Sequence, residues 1–381
     1  MTGEAATLGV YVHWPYCAKV CPYCDFNVVR DRGRSAGASG LIGAIITDLE
    51  GHARTVGRRS LASIFFGGGT PSLMRPGQVA QIIQTAKRLW PPRAEVEITL
   101  EANPLDAEED RFAAFADAGV NRLSLGMQSL HDSQLRFLGR DHDAATARAG
   151  AECALAHFPR VSFDLIYALP DQTAHDWSAM LAEAASLGPE HISAYQLTIE
   201  PGTAFGRALR RGELKAPADD LSADLFEVTQ AVLGEVGFEA YEVSNHARGE
   251  AARSRHNLIY WRGEDYVGVG PGAHGRLTLG ETRFATESPR RAQDYIARVE
   301  QRGIGAALEP LEPREITLER LLMGLRTGEG VRTAELGGLD LGSSRMAAFE
   351  GFLQIADGRL VATARGRPVL DHIIAELTCA E

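Results

Sequence analysis

Short apolar runs rich in β-branched and aromatic residues recur along the first half of the chain, at residues 9–13, 63–66, 95–101, 122–126, 161–166 and 191–197. Runs of that length and composition predict buried strands. Between them lie segments with apolar residues at helical spacing, 41–52, 78–89, 108–118, 144–156 and 177–187. Each is long enough to be a crossover helix, so strand and helix alternate. Alternation of this kind predicts a parallel sheet, and six units fall short of an eight-fold barrel. Most of the strands end in a polar or Gly-rich tip, such as Gly67-Gly68-Gly69-Thr70 or Gly126-Met127-Gln128-Ser129. Ligands of parallel βα folds gather at those carboxyl ends, which favours an α/β fold built as a partial (β/α)6 TIM-like barrel.

Past residue 218 the rhythm changes. A long helical segment, 221–236, leads to 241–245 and a Gly-rich stretch, 267–275, and from residue 311 helical segments precede a ribbon at 358–363 and a last helix at 368–377. The expected division is a barrel over 1–235, a connecting region over 236–310 and a small C-terminal winged-helix-like domain over 311–381.

With 381 residues and 45% hydrophobic content, the chain can fill a large core and a second, smaller one. The net charge of −11 and the lack of any basic run argue against nucleic acid as a partner. The first ten residues lack a basic leader, and no apolar stretch approaches the roughly 18 residues of a membrane span, so a cytoplasmic location is expected. Of five cysteines, three lie within eight residues, and in a reducing compartment metal ligation is the better reading of that group. Cys153 and Cys379 stand alone and read as ordinary thiols.

The spacing Cys17-x3-Cys21-x2-Cys24 places three thiols on the loop after the first strand. A 4Fe-4S cluster normally takes four cysteines, so three leave one iron open to an outside ligand. A zinc site completed by His13, or unrelated buried thiols, are the alternatives. The glycines of Gly67-Gly68-Gly69-Thr70-Pro71-Ser72 remove side chains where a ligand needs to approach the backbone.

With these motifs the sequence resembles the radical S-adenosylmethionine (radical SAM) proteins over nearly its whole length. The stretches Tyr11-Val12-His13-Trp14-Pro15-Tyr16-Cys17 and Cys21-Pro22-Tyr23-Cys24-Asp25-Phe26-Asn27 are similar to the branch holding the oxygen-independent coproporphyrinogen III oxidases and the HemW heme chaperones. The resemblance implies a barrel of the radical SAM type, with Cys17, Cys21 and Cys24 on three irons and the methionine amino and carboxylate groups on the fourth. It also implies that Gly68, Gly69 and Thr70 hold the methionine amino group, and that Tyr11, Glu101, Gln128, Arg140 and Asp164 contact the rest of S-adenosylmethionine. Anionic and amide side chains suit ribose hydroxyls and an ammonium, and an arginine fork suits a carboxylate.

Three features separate the two relatives. The oxidases carry a fourth cysteine two residues after the third, where this chain has Phe26, and a longer leading segment than precedes Cys17 here. The segment His256-Asn257-Leu258-Ile259-Tyr260-Trp261 matches the HNxxYW signature of the HemW family, to which heme binding is attributed. The resemblance implies His256 as the heme-binding residue, since histidine is a good axial ligand; read alone, the segment is a packed strand. His274, in Gly270-Pro271-Gly272-Ala273-His274, is a second candidate, and His191 reads as a strand-end hydrogen-bonder. The expected function is therefore a heme chaperone that binds a 4Fe-4S cluster, S-adenosylmethionine and heme. It would pass heme to acceptor hemoproteins such as membrane respiratory enzymes, have no coproporphyrinogen oxidase activity, and need an electron donor only if radical chemistry occurs. The alternative is an oxygen-independent coproporphyrinogen III oxidase of porphyrin biosynthesis.

Overall fold

The structure, a computed structural model, describes residues 5–337, 339, 341–342 and 346–378; Cys379 lies outside them. All six apolar runs become strands of one sheet. β1 (Thr7–Trp14) is followed by a short ribbon, β2 (Tyr16–Cys17) and β3 (Val29–Arg30), and then by β4 (Ser60–Gly68), β5 (Pro92–Ala102), β6 (Arg122–Gln128), β7 (Val161–Tyr167) and β8 (His191–Gln196). Strands β1, β4, β5, β6, β7 and β8 pair in parallel in that order. The helices between them are α1 (Ser39–Val56), α2 (Pro76–Leu89), α3 (Glu109–Asp117), α4 (Asp132–Phe137), α5 (Ala144–His157) and α6 (Ala174–Ser186). Their apolar faces close one core with the strands, centred on side chains such as Ile45, Phe66, Phe112, Leu125, Phe163 and Trp177.

Beyond β8 come α7 (Ala204–Arg210) and α8 (Asp219–Glu235). The stretch expected to be a connection does more than connect. It forms β9 (Glu239–Ala240), β10 (Asn245–Ala247), α9 (Arg255–Trp261), β11 (Asp265–Val269), β12 (His274–Leu279), β13 (Thr282–Glu287), α10 (Ala292–Arg302) and β14 (Ala307–Pro310). All its strands join the same sheet, whose order is β14-β13-β12-β11-β1-β4-β5-β6-β7-β8-β10-β9. β11 adds in parallel to β1, and β10 closes antiparallel on β8.

The HNxxYW segment is a helix, α9, and the sheet curls around it. Ser63 of β4 meets His256, the carboxylate of Glu97 in β5 accepts the backbone N–H groups of Arg255 and His256 at 3.1 and 2.9 Å, and the hydroxyl of Tyr241, bonded to His191 of β8, accepts the N–H of Ser254 at 3.1 Å. The expectation of a packed strand fails because Ser254 caps the segment, its side chain accepting the N–H of Asn257. Glu97 then satisfies donors that a helix start leaves open.

The C-terminal part holds α11 (Pro313–Gly324), β15 (Val331–Arg332), β16 (Leu353–Ala356), β17 (Arg359–Ala362) and a last helix, Leu370–Thr378. These elements close a second core around Leu321, Leu325, Leu353, Leu360, Ile373 and Ile374. Helix, ribbon and helix follow in the expected order; the expected second helical segment falls in part outside the described residues. Among the described residues, no helix is long and apolar enough to cross a membrane.

Candidate functional site

The chain leaves β1 at Trp14 and enters a loop whose neck is tied by β2 and β3, with Val29 N–H donating to Pro15 O and Asp31 N–H to Cys17 O, each at 2.8 Å. Cys17, Cys21 and Cys24 lie on this loop and all line one cavity of about 510 Å³ at the carboxyl ends of the strands. Burial pushes the Cys17 thiol up to about 12, with Thr70 acting against that and the neighbouring Cys24 and Cys21 adding to it. A metal that takes its thiolate displaces a proton, so loading and deprotonation go together.

Across from the cysteines the glycine loop is pinned to β1 and β2. Gly69 N–H donates to Trp14 O at 2.7 Å and Thr70 N–H to Tyr16 O at 2.8 Å. A β-carbon on Gly69 would stand 2.5 Å from Tyr16 O and 3.0 Å from Cys17 Sγ, and Gly68 holds a left-handed φ of 107°. No other residue fits there without moving the cysteine loop.

The polar groups converge on the same space. Glu101, next to last in β5, is partly buried, and its Oε2 accepts Gly68 N–H at 3.2 Å. Burial, with the nearby Asp164 carboxylate adding to it, pushes its carboxyl up to about 8. Asp164 accepts the hydroxyls of Ser124 at 2.7 Å and Ser162 at 3.1 Å, and burial pushes it up as well. Arg140 donates to Gly126 O at 3.1 Å and to Asn103 Oδ1, with Nη1 3.4 Å from Cys21 Sγ. Gln128 stands at the end of β6 with φ of 65°, a strained conformation for a residue other than glycine, where the β6–β7 register shifts. Thus Gly68, Gly69, Thr70, Glu101, Gln128, Arg140 and Asp164 share the cavity wall with the cysteines.

Tyr11 stands apart from that wall. Its ring stacks on Phe65 and His256, and its hydroxyl is 3.1 Å from His13 Nδ1. The zinc alternative fails at His13, whose Nε2 is engaged by the backbone oxygen of Asn27 at 2.9 Å. Among the described residues no three His, Cys, Asp or Glu side chains close on one point. A cubane needs no such point, because its thiolates bind separate irons.

His256 lies in the interior, on α9. It is 1% exposed, with Ser63 Oγ 2.7 Å from Nδ1 and the Tyr260 hydroxyl 2.6 Å from Nε2. Burial pushes its imidazolium down to about 3. Both ring nitrogens are engaged, and the ring stacks on Phe65 and Tyr11. His191 is tied between Ser162 and Tyr241, as a hydrogen-bonder would be.

Two wall residues escape sequence reasoning. Arg122 opens β6, is 2% exposed and reaches the cavity with no ion pair among the described residues; Asn257 lies beside His256 in the HNxxYW motif and does face the cavity. A charge at the head of an apolar run is the signal that marks Arg122.

The model of the radical SAM superfamily matches residues 11–184. Among curated proteins, the "Radical S-adenosyl methionine domain-containing protein 1, mitochondrial" of Mus musculus is 43% identical over 84% of this chain and 74% of its own. The "Heme chaperone HemW" of Mycobacterium tuberculosis is 35% identical over 97% of this chain and 94% of its own, and that of Escherichia coli 37% over 80% of each. Among solved structures, the coproporphyrinogen III oxidase HemN of Escherichia coli superposes with a TM-score of 0.79 over 97% of this chain and 90% of its own, at 22% identity. That likeness is one of fold. The three thiols around one cavity and a glycine cradle that a β-carbon would fill suit the cluster and S-adenosylmethionine that the superfamily implies.

Proposed function

The chain belongs to the HemW family of radical SAM proteins, and we propose from there that it is a cytoplasmic heme chaperone, which holds heme and hands it to acceptor hemoproteins such as membrane respiratory enzymes. The observation that carries this reading is the near end-to-end match to a protein named as a heme chaperone, over 97% of this chain and 94% of that one. Phe26 supports it, standing 64% exposed at the cavity mouth where an oxidase would carry its fourth cysteine.

In this reading Cys17, Cys21 and Cys24 hold the 4Fe-4S cluster, while Gly68, Gly69, Thr70, Glu101, Gln128, Arg140 and Asp164 hold S-adenosylmethionine. The bound pair supplies one-electron reductive chemistry if a donor delivers the electron. Arg140 offers its fork to a carboxylate, and Asp164 offers acceptors to hydroxyls. Glu101 meets positive charge, and because burial and the Asp164 carboxylate hold its carboxyl near 8, cation binding displaces its proton. Affinity for S-adenosylmethionine is therefore expected to rise with pH between about 6.5 and 8.5, with proton uptake by buffer visible in the calorimetric enthalpy. Glu101→Gln flattens that profile; an unchanged slope in the variant assigns the proton to another group.

The test of the function is an anaerobic assay of the reconstituted protein on coproporphyrinogen III with a strong reductant. No protoporphyrinogen is expected. Catalytic turnover makes the chain an oxidase and overturns the reading.

A further inference from the structure

The cysteine loop rejoins the barrel at Asn27, three residues after Cys24, and Asn27 is held by side chain and backbone alike. Its Nδ2 donates to Pro271 O and to Arg290 O, both at 2.9 Å. Carbonyl oxygens only accept, so the amide nitrogen is the atom that must face them. The segments that carry them are joined in turn, Gly272 N–H donating to Pro289 O at 2.9 Å, and a β-carbon on Gly272 would run into the Asn27 amide. The Asn27 carbonyl oxygen accepts from His13 Nε2 at 2.9 Å. Nε2 therefore carries the ring proton. Burial pushes the imidazolium down, so the ring is neutral and Nδ1 is left to accept the Tyr11 hydroxyl at 3.1 Å. The buried His13 ring lies against the glycine loop, where a β-carbon on Gly68 would stand 2.6 Å from its Cε1 and 2.7 Å from its Nδ1.

We propose that Asn27 and His13 are positioning residues for the cofactor pair, holding the cysteine loop over the glycine cradle in the placement from which the iron that lacks a cysteine meets S-adenosylmethionine. The inference rests on the cluster and S-adenosylmethionine assignments above; the heme reading does not enter it. Neither residue lines the cavity, so each acts through the backbone it holds. The other backbone ties of the loop lead elsewhere. Val29 N–H and Asp31 N–H close its neck, and Pro22 O, between Cys21 and Cys24, accepts Phe205 N–H of α7 at 2.9 Å. The bond between Asn27 and His13 is the tie that carries the chain beyond Cys24 back to β1 and, through the His13 ring, to Gly68. A loop that is correctly placed only part of the time binds its ligand more weakly in proportion to that fraction.

The experiment compares wild type with Asn27→Asp, Asn27→Ala, His13→Gln and His13→Leu in the anaerobically reconstituted full chain. It reads iron and sulfide content, S-adenosylmethionine affinity, and the electron paramagnetic resonance of the reduced cluster with and without S-adenosylmethionine. Asn27→Asp keeps the shape of the side chain but turns a carboxylate onto two carbonyl oxygens. It and Asn27→Ala are expected to load iron yet bind S-adenosylmethionine about tenfold more weakly, with the spectral change incomplete at a concentration that saturates wild type. In His13→Gln the side-chain amide can donate to Asn27 O from near the Nε2 position, so affinity is expected to stay close to wild type, while His13→Leu falls with the Asn27 variants. In the metal-free full chain, trypsin should cut after the exposed Lys19 several-fold faster in both Asn27 variants than in wild type. Unchanged cleavage would overturn the inference even for a variant that loses its cluster. Wild-type affinity and spectrum in Asn27→Asp, or equal losses in His13→Gln and His13→Leu, would overturn it as well. Failure of reconstituted wild type to bind S-adenosylmethionine would overturn the cofactor assignment and the inference with it.

Discussion

Gly69→Ala is expected to cost the protein its cluster, although alanine removes no ligand. The new methyl would sit 2.5 Å from Tyr16 O and 3.0 Å from Cys17 Sγ, and the backbone it meets is the rung that positions Cys17. Neither partner is the loose end of a flexible side chain, so the cysteine loop and the glycine loop must separate. Iron and sulfide content after anaerobic reconstitution should fall to near that of Cys17→Ala, with the broad charge-transfer absorbance lost in both. Full iron content in Gly69→Ala would show that the two loops are less tightly coupled than the contacts imply.

Glu97→Ala carries the largest expected loss of stability. Glu97 is 1% exposed, pairs with Arg160 at 2.7 Å, and accepts the first N–H groups of α9. Burial alone would raise its carboxyl, yet Arg122, Arg160 and those N–H groups hold it below the usual carboxylate value. Removing it leaves Arg160 with Glu190 as its remaining carboxylate partner and leaves two helix-start donors unsatisfied. Each buried donor left unsatisfied costs about 1–3 kcal/mol, and the two together lower the melting temperature by roughly 5–10 °C. Because its folded value lies below its unfolded value, this stabilisation is present above the unfolded pKa and fades as pH falls through the folded one. Thermal melts against pH should therefore show the wild type losing its advantage over Glu97→Ala in acid. An equal gap at all pH values would mean that the Glu97 charge is not what holds α9.

The barrel is legible in the sequence because its strands are buried on both faces and stand out as apolar runs, as Val161–Tyr167 does. The three cysteines are legible for another reason: all lie on one loop, so their spacing alone reports that they line one cavity. What the runs do not disclose is the far side of the sheet. β11 adds to β1 across more than 250 residues of chain, and a parallel pairing of that separation leaves no local mark. α9 hides similarly, being seven residues long and capped by a Glu97 carboxylate from another strand. His256 shows the limit most clearly. A motif identifies the residue, and only the fold shows that Ser63 and Tyr260 engage its two nitrogens.

The central claim, that a radical SAM scaffold here serves as a heme carrier, is tested most directly by titrating hemin into the anaerobically reconstituted protein while iron and sulfide are counted in the same sample. The account predicts stoichiometric heme uptake by protein that keeps its cluster; cluster-loaded protein that leaves hemin in solution would contradict it.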